Sequence, residues 1–164
     1  MTEEKHILSI LVDNQPGVLS RISGLFGGRG YNIDSLCVAE TTELNISRVT
    51  IVTRGSKQII EQIIKQLRKL INVVKVIELT GTEFVQREMA IIKVKAKPEH
   101  RAEILRIVDI FRCKIIDAGL EHYTIEITGD EDKLSAILGL LKPLGIKEIA
   151  KTGIIALSRE PKVV

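Results

Sequence analysis

A chain of 164 residues, 45% hydrophobic and 27% charged, has the composition of a globular protein with one ordinary domain or two small ones. Its formal charge of +3 is spread along the chain, too weak and too diffuse for a nucleic-acid surface. No apolar run approaches the roughly 18 residues of a membrane span, the start MTEEKHILSI is no secretory signal, and Cys37 and Cys113 lack CxxC spacing, so the expectation is a cytoplasmic protein with two reduced, buried thiols.

Ile7 to Val12 reads as a strand. Val18, Leu19, Ile22, Leu25 and Phe26 then fall on one face of a helix. Pro16 and Gly17 open that helix, with Gly17 in its first turn, and Gly27, Gly28 and Gly30 end it. Tyr31 to Ala39 and Ile46 to Thr53 read as strands around the polar turn Thr41-Thr42-Glu43. Ser56 is placed to cap a second helix, whose face is Ile59, Ile60, Ile63, Ile64 and Leu67. Val73 to Leu79 is the fourth strand, which makes the order βαββαβ.

The same order returns. Ala90 to Ala96, Lys114 to Ala118, Tyr123 to Thr128 and Ile146 to Leu157 read as strands, with helices from Pro98 to about Phe111 and from Asp130 to Leu141. The copies also align directly: TIVTRGSKQIIEQIIKQLRKL matches TIEITGDEDKLSAILGLLKPL at an offset of 74, with Thr50/Thr124, Gly55/Gly129 and Leu67/Leu141 identical. The fold class is therefore α+β, two tandem ferredoxin-like βαββαβ units, 1–80 and 81–164, joined near Thr80-Gly81-Thr82. Each unit places two helices on one face of an antiparallel sheet. Its strands are apolar on both faces, so the uncovered face or an edge is expected to meet another subunit.

No catalytic constellation stands out. His6, His100 and His122 lie far apart, without metal-ligand spacing. Ser20 and Ser23 lie on a helix without a nucleophile-elbow pattern. Asp130-Glu131-Asp132 opens a helix, where acids complement the dipole. No catalytic residue and no metal ligand is assigned, and a binding protein is expected.

The stretch DNQPGVLSRISGLFGGRGYNIDS is the informative one. It is not a phosphate loop: GxxxxGK[ST] is absent, and the glycine run lies at a helix end, where carbonyls repel anions. Gly17 stands at the positive end of the helix instead. A carboxylate can accept from the amides of Gly17 and Val18, and the missing side chain at Gly17 allows close approach. Asn14 and Asn32 offer side-chain oxygens to an ammonium, and Val18, Leu19 and Ile33 suit a small aliphatic side chain. The other reading of the same residues is that Asn14 caps the helix and Asn32 tolerates a tight turn.

A βαββαβ unit with D-N-x-P-G-V-L at its first strand-helix turn resembles an ACT domain, the small-molecule sensor of many amino acid pathways. HILSILVDNQPGVLSRISGLFGGRGYNIDSL, SRVTI, EQIIKQLRKLINVVKV, FRCKIIDAG and KTGIIALSRE resemble the regulatory small subunit of acetohydroxyacid (acetolactate) synthase, over essentially the whole chain. The resemblance implies an N-terminal ACT domain for effector binding and an ACT-like C-terminal domain. It implies a non-catalytic homodimer, paired through its ACT domains, that activates a catalytic large subunit. That subunit uses thiamine diphosphate, magnesium and FAD, and none of these is expected in the small subunit itself. The resemblance further implies feedback inhibition by valine, in some members by leucine or isoleucine, within branched-chain amino acid biosynthesis. The effector is expected between two N-terminal domains, with Asn14, Gly17 and Val18 from one chain and Asn32 and Ile33 from the other. The second unit has Lys97-Pro98-Glu99-His100 in place of the hook and is not expected to bind valine in that way. A stand-alone ACT-type sensor controlling transcription would need a DNA-binding segment, and no helix-turn-helix is visible. An RNA-binding module of this fold would place aromatics inside its strands, which here are aliphatic.

Overall fold

The computed structural model describes residues 3–161. Contacts divide the chain into two units, one running through Val85 and recovering the segment from Ile154, the other Gln86–Gly153. The boundary read from the sequence at 80/81 therefore differs in two ways: the break comes later, and the final segment rejoins the first unit.

The first unit runs β1 (Glu4–Asp13), α1 (Val18–Gly28), β2 (Ser35–Glu40), β3 (Ile46–Gly55), α2 (Lys57–Arg68) and β4 (Val73–Glu78). Its antiparallel sheet has the order β2-β3-β1-β4, so β2 is an edge strand. Strand alternation puts Leu8, Ile10 and Val12 opposite Ile51, Val49 and Ser47. That face meets Val18, Ile22 and Phe26 of α1 and Ile60, Ile63, Ile64 and Leu67 of α2 in one core. Burying each such side chain is worth about 1.5–3 kcal/mol.

The glycines after α1 act as read from the sequence. Gly30 has φ 73°, its N–H donates to the Gly27 carbonyl at 3.1 Å, and the Tyr31 N–H donates to the Phe26 carbonyl at 2.9 Å. This is a Schellman ending. It releases the chain into a loop, and β2 begins only at Ser35 rather than at Tyr31. Ser56 caps α2 as expected, its side chain accepting from the Ile59 N–H.

The opposite face of the same sheet is covered from within the chain. Ile7, Val52 and Leu79 are buried together with Ile154 and Ala156, and Ile77 and Phe84 pack against them. The expectation was that the uncovered face or an edge meets another subunit; at the Ile7–Val52 end the face is covered by the chain's own Ile154 and Ala156.

The second unit repeats the plan: β5 (Phe84–Lys95), a 3-10 turn Pro98–His100, α3 (Arg101–Ile110), β6 (Lys114–Ala118), β7 (His122–Gly129), α4 (Glu131–Leu141) and β8 (Ile146–Lys151). Its sheet order is β6-β7-β5-β8, and Ile92, Val94, Ile125 and Ile127 meet Ile104, Ile107, Leu134 and Ile137 in its core. Both units are ferredoxin-like α+β folds. The single last strand expected from Ile146 to Leu157 is broken. Gly153 has φ 85°, and after it β9 (Ile155–Ser158) begins and pairs with β5. A glycine with positive φ turns a chain that side-chain pattern alone reads as continuous. Cys37 and Cys113 are free thiols, half-buried rather than buried.

Candidate functional site

Between β1 and α1 the chain makes a tight turn over Gln15-Pro16-Gly17-Val18. The Val18 N–H reaches back to the Gln15 carbonyl at 3.4 Å, and Gly17 has φ 86° and ψ −8°. These are the dihedrals of the third position of a type II turn, with Pro16 in its preferred second place. Gly17 is therefore the residue that caps α1 from outside, not a member of its first turn. The first helical bond closes from the Arg21 N–H to the Gly17 carbonyl at 3.1 Å.

No side chain caps α1, and its first turn carries no acidic residue. The amides of Leu19 and Ser20 have no acceptor available within the helix, and the positive end is not offset by an acid in that turn. A Cβ placed on Gly17 would meet nothing within 4 Å. The space in front of the turn is open, as a ligand carboxylate would require.

Asn14 does not cap the helix. Its Nδ2 donates to Glu40 Oε1 at 2.7 Å, and its backbone N–H donates to the Asn45 carbonyl at 2.7 Å. The bond to Glu40 consumes an amide donor and leaves Oδ1 as an acceptor. Asn32 is arranged alike in the loop before β2. Its Nδ2 donates to Asp34 Oδ1 at 3.0 Å, and its carbonyl accepts from the Thr53 hydroxyl at 2.7 Å. Asp34 in turn donates its N–H to the Val52 carbonyl at 2.8 Å and pairs with Arg54 Nε at 2.9 Å.

The apolar candidates separate. Leu19 is 43% exposed beside the hook, and Ile33 is half-buried against the core. Val18 is only 5% exposed and belongs to the core, and its amide is directed to the Gln15 carbonyl, so neither its side chain nor its N–H faces open space as expected from the sequence. The structure brings Asn14, Gly17 and Leu19 together at one end of the sheet. Asn32 and Ile33 lie at the other end, because the strand from Ile46 beside Asp13 to Thr53 beside His6 lies between them. At about 3.4 Å per residue that span is about 24 Å. One chain therefore presents the candidate residues as two separate groups, not as one cluster. Glu40, which orients the Asn14 side chain, and Thr53, which holds the Asn32 backbone carbonyl, have no local sequence signal. Each acts on a residue more than 20 positions away.

The second unit has no such hook. Arg101 fills the corresponding turn, donating from Nε to the Ala96 carbonyl at 3.1 Å and from Nη2 to the Leu120 carbonyl at 2.8 Å. The histidines are separate. His6 is buried and bonded to Glu78 Oε1 at 2.6 Å, His100 lies in the 3-10 turn, and His122 starts β7 instead of lying in a turn. Asp130 caps α4, accepting from the Lys133 N–H at 2.9 Å. Burial pushes the Cys113 thiol up from its ordinary value, against the smaller opposing effect of Lys133. Among the described residues no group of three or more His, Cys, Asp or Glu side chains is placed to hold a metal ion, and no helix is long and apolar enough to cross a membrane.

Residues 8–75 match the model for an AHAS small subunit-like ACT domain, and residues 87–160 match that for the small subunit of acetolactate synthase. The acetolactate synthase small subunit of Aquifex aeolicus is 52% identical over 97% of this chain and 83% of its own length. The probable acetolactate synthase small subunit of Archaeoglobus fulgidus is 49% identical over 96% of this chain and 99% of its own. The crystal structure of the acetolactate synthase small subunit from Thermotoga maritima superimposes with a TM-score of 0.88 at 43% identity, covering 97% of this chain and 99% of that one.

Proposed function

We propose that this chain, which belongs to the acetolactate synthase small-subunit family, activates the catalytic large subunit and makes it sensitive to feedback inhibition by valine. Its role is regulatory, not catalytic. In this reading thiamine diphosphate, magnesium and FAD belong to the large subunit, the pathway is branched-chain amino acid synthesis, and the complex works in the cytoplasm.

One observation carries the effector reading. The two half-sites sit at opposite ends of an unpaired edge strand. Among the described residues β2 has no neighbour on its outer side, and Leu36 and Val38 on it are 36% and 40% exposed. An open apolar edge is a template for pairing. If two β2 strands pair antiparallel about a two-fold axis, Ser35 of one lies near Glu40 of the other. Glu40 holds Asn14, and Ser35 follows the Asn32–Asp34 loop. The symmetry that closes the edge therefore brings the hook of each chain to the asparagine loop of its partner, twice per dimer. The amides at the start of α1 would take the valine carboxylate. Oδ1 of Asn14 and of the partner's Asn32 would take the ammonium, and Leu19 with Ile33 the isopropyl group. Valine would then stabilise one dimer geometry, and a coupling of about 1–3 kcal/mol to the large subunit would be typical.

The test is calorimetric titration of valine into the purified chain, beside Gly17→Asp, followed by assay with the large subunit. We expect one valine per chain for the wild type and none for the variant, with the variant still activating the large subunit. A folded wild-type dimer that takes up no valine alone or with the large subunit would overturn the effector reading.

A further inference from the structure

We propose that the segment Ile154–Ser158 is a positioning strap for the Asn32–Ile33 half-site, an inference that rests on the effector reading above. The strap is attached where the half-site is attached. The Ile154 N–H donates to Ser35 Oγ at 3.1 Å, and Ser35 directly follows the Asn32–Asp34 loop. Ile154 and Ala156 are buried against Val52 and Ile7. Val52 is the residue across from Ser35 in the sheet, and its carbonyl receives the Asp34 N–H. One side of the loop is thus held by Thr53, Val52 and Arg54 of β3. The strap holds the other side by fixing the Ser35 side chain and covering Val52.

The far end is anchored as well. The Arg159 N–H donates to the Glu83 carbonyl at 2.9 Å, so the strap is pinned on both sides of β9. Among the described residues nothing comparable bears on the hook at Asn14 and Gly17, where the bonds go to Asn45, Glu40 and Gln15. The strap acts on one half-site only. It is also continuous in sequence, through Thr152 and Gly153, with β8 of the second unit.

The experiment uses the full chain with Ser35→Ala and, separately, Ile154→Ala, each read by hydrogen exchange without ligand and by valine titration. Ser35→Ala removes the acceptor and leaves the core, so it reports even if Ile154→Ala proves poorly folded. The expected result is at least fivefold faster exchange confined to residues 31–36, unchanged exchange at 13–19, and a valine Kd raised several-fold at unchanged stoichiometry. Unchanged exchange at 31–36 in Ser35→Ala would overturn the strap. So would a uniform rise across β1, β3 and β4, which would mean the segment is ordinary core. If wild type binds no valine, the effector reading fails separately, and the exchange pattern still decides whether the strap holds the loop.

Discussion

Gly17 answers to two demands, one from the backbone and one from the proposed ligand, and they predict different outcomes. The backbone demand is φ 86°. A left-handed conformation costs most residues about 1–2 kcal/mol, and Asn or Asp less, because their short polar side chains tolerate it. Sterically the site is free, since an added Cβ meets nothing within 4 Å. Gly17→Asn and Gly17→Asp should therefore both fold and should agree in urea stability to within about 0.5 kcal/mol. The ligand demand separates them. The Asp carboxylate occupies the amides that valine needs, so Asp should abolish valine binding, while Asn, of nearly equal size and uncharged, should only weaken it. If the two variants lost valine equally in calorimetry, shape and not charge would be what matters there. The residues of this site were legible in the sequence because Pro-Gly before a helical stripe and Asn after a glycine cap are local patterns. Their partners were not legible. Nothing near Asn14 names Glu40, and nothing near Asn32 names Thr53. The sequence likewise left Asn14 open between cap and ligand group, and the long-range bond to Glu40 removes the cap.

Helices were more legible than strand ends, and the cause is physical. A helix face is set by local periodicity, and most of the apolar stripes of α1 and α2 are buried where the period places them, Leu19 on the rim of α1 being the exception. A strand ends where its neighbour stops pairing, which local pattern does not contain. So β2 starts later than its apolar run, and the last strand breaks at Gly153, where Thr152 trades bonds with the Met89 backbone. The helix caps allow a graded test. Asp130 receives the Lys133 N–H at 2.9 Å, while Ser56 receives the Ile59 N–H at 3.4 Å. The shorter bond is charge-assisted, and the longer one lies near the limit of a useful contact. Asp130→Ala should cost about 1 kcal/mol and Ser56→Ala about 0.5 kcal/mol. Urea unfolding of the two variants measures the order, and a larger loss from Ser56→Ala would show that bond geometry does not rank these caps.

At the scale of the molecule, apolar strands on both faces signalled a missing cover, and part of that cover proved to be the chain's own final segment. Such a return is invisible to a repeat-based reading, which assigns the end of the chain to the second copy. What the chain does not supply by itself is a way to join the two proposed half-sites, which lie about 24 Å apart along β3. A site shared by two chains makes a prediction that a single-chain site does not. In a dimer of Gly17→Asp, or of Asn32→Ala, every site carries one damaged half, and both dimers should fail to bind valine. A mixed dimer of one Gly17→Asp chain with one Asn32→Ala chain is different. One of its sites receives both damaged halves, and the other receives both intact ones. Purified through two different tags, this heterodimer should bind one valine per dimer at close to wild-type affinity. If each site were built within a single chain, the heterodimer would be as inactive as its parents. Calorimetric stoichiometry on the three species separates the alternatives: one valine in the mixed dimer and none in either parent requires that each site be made from the hook of one chain and the loop of the other.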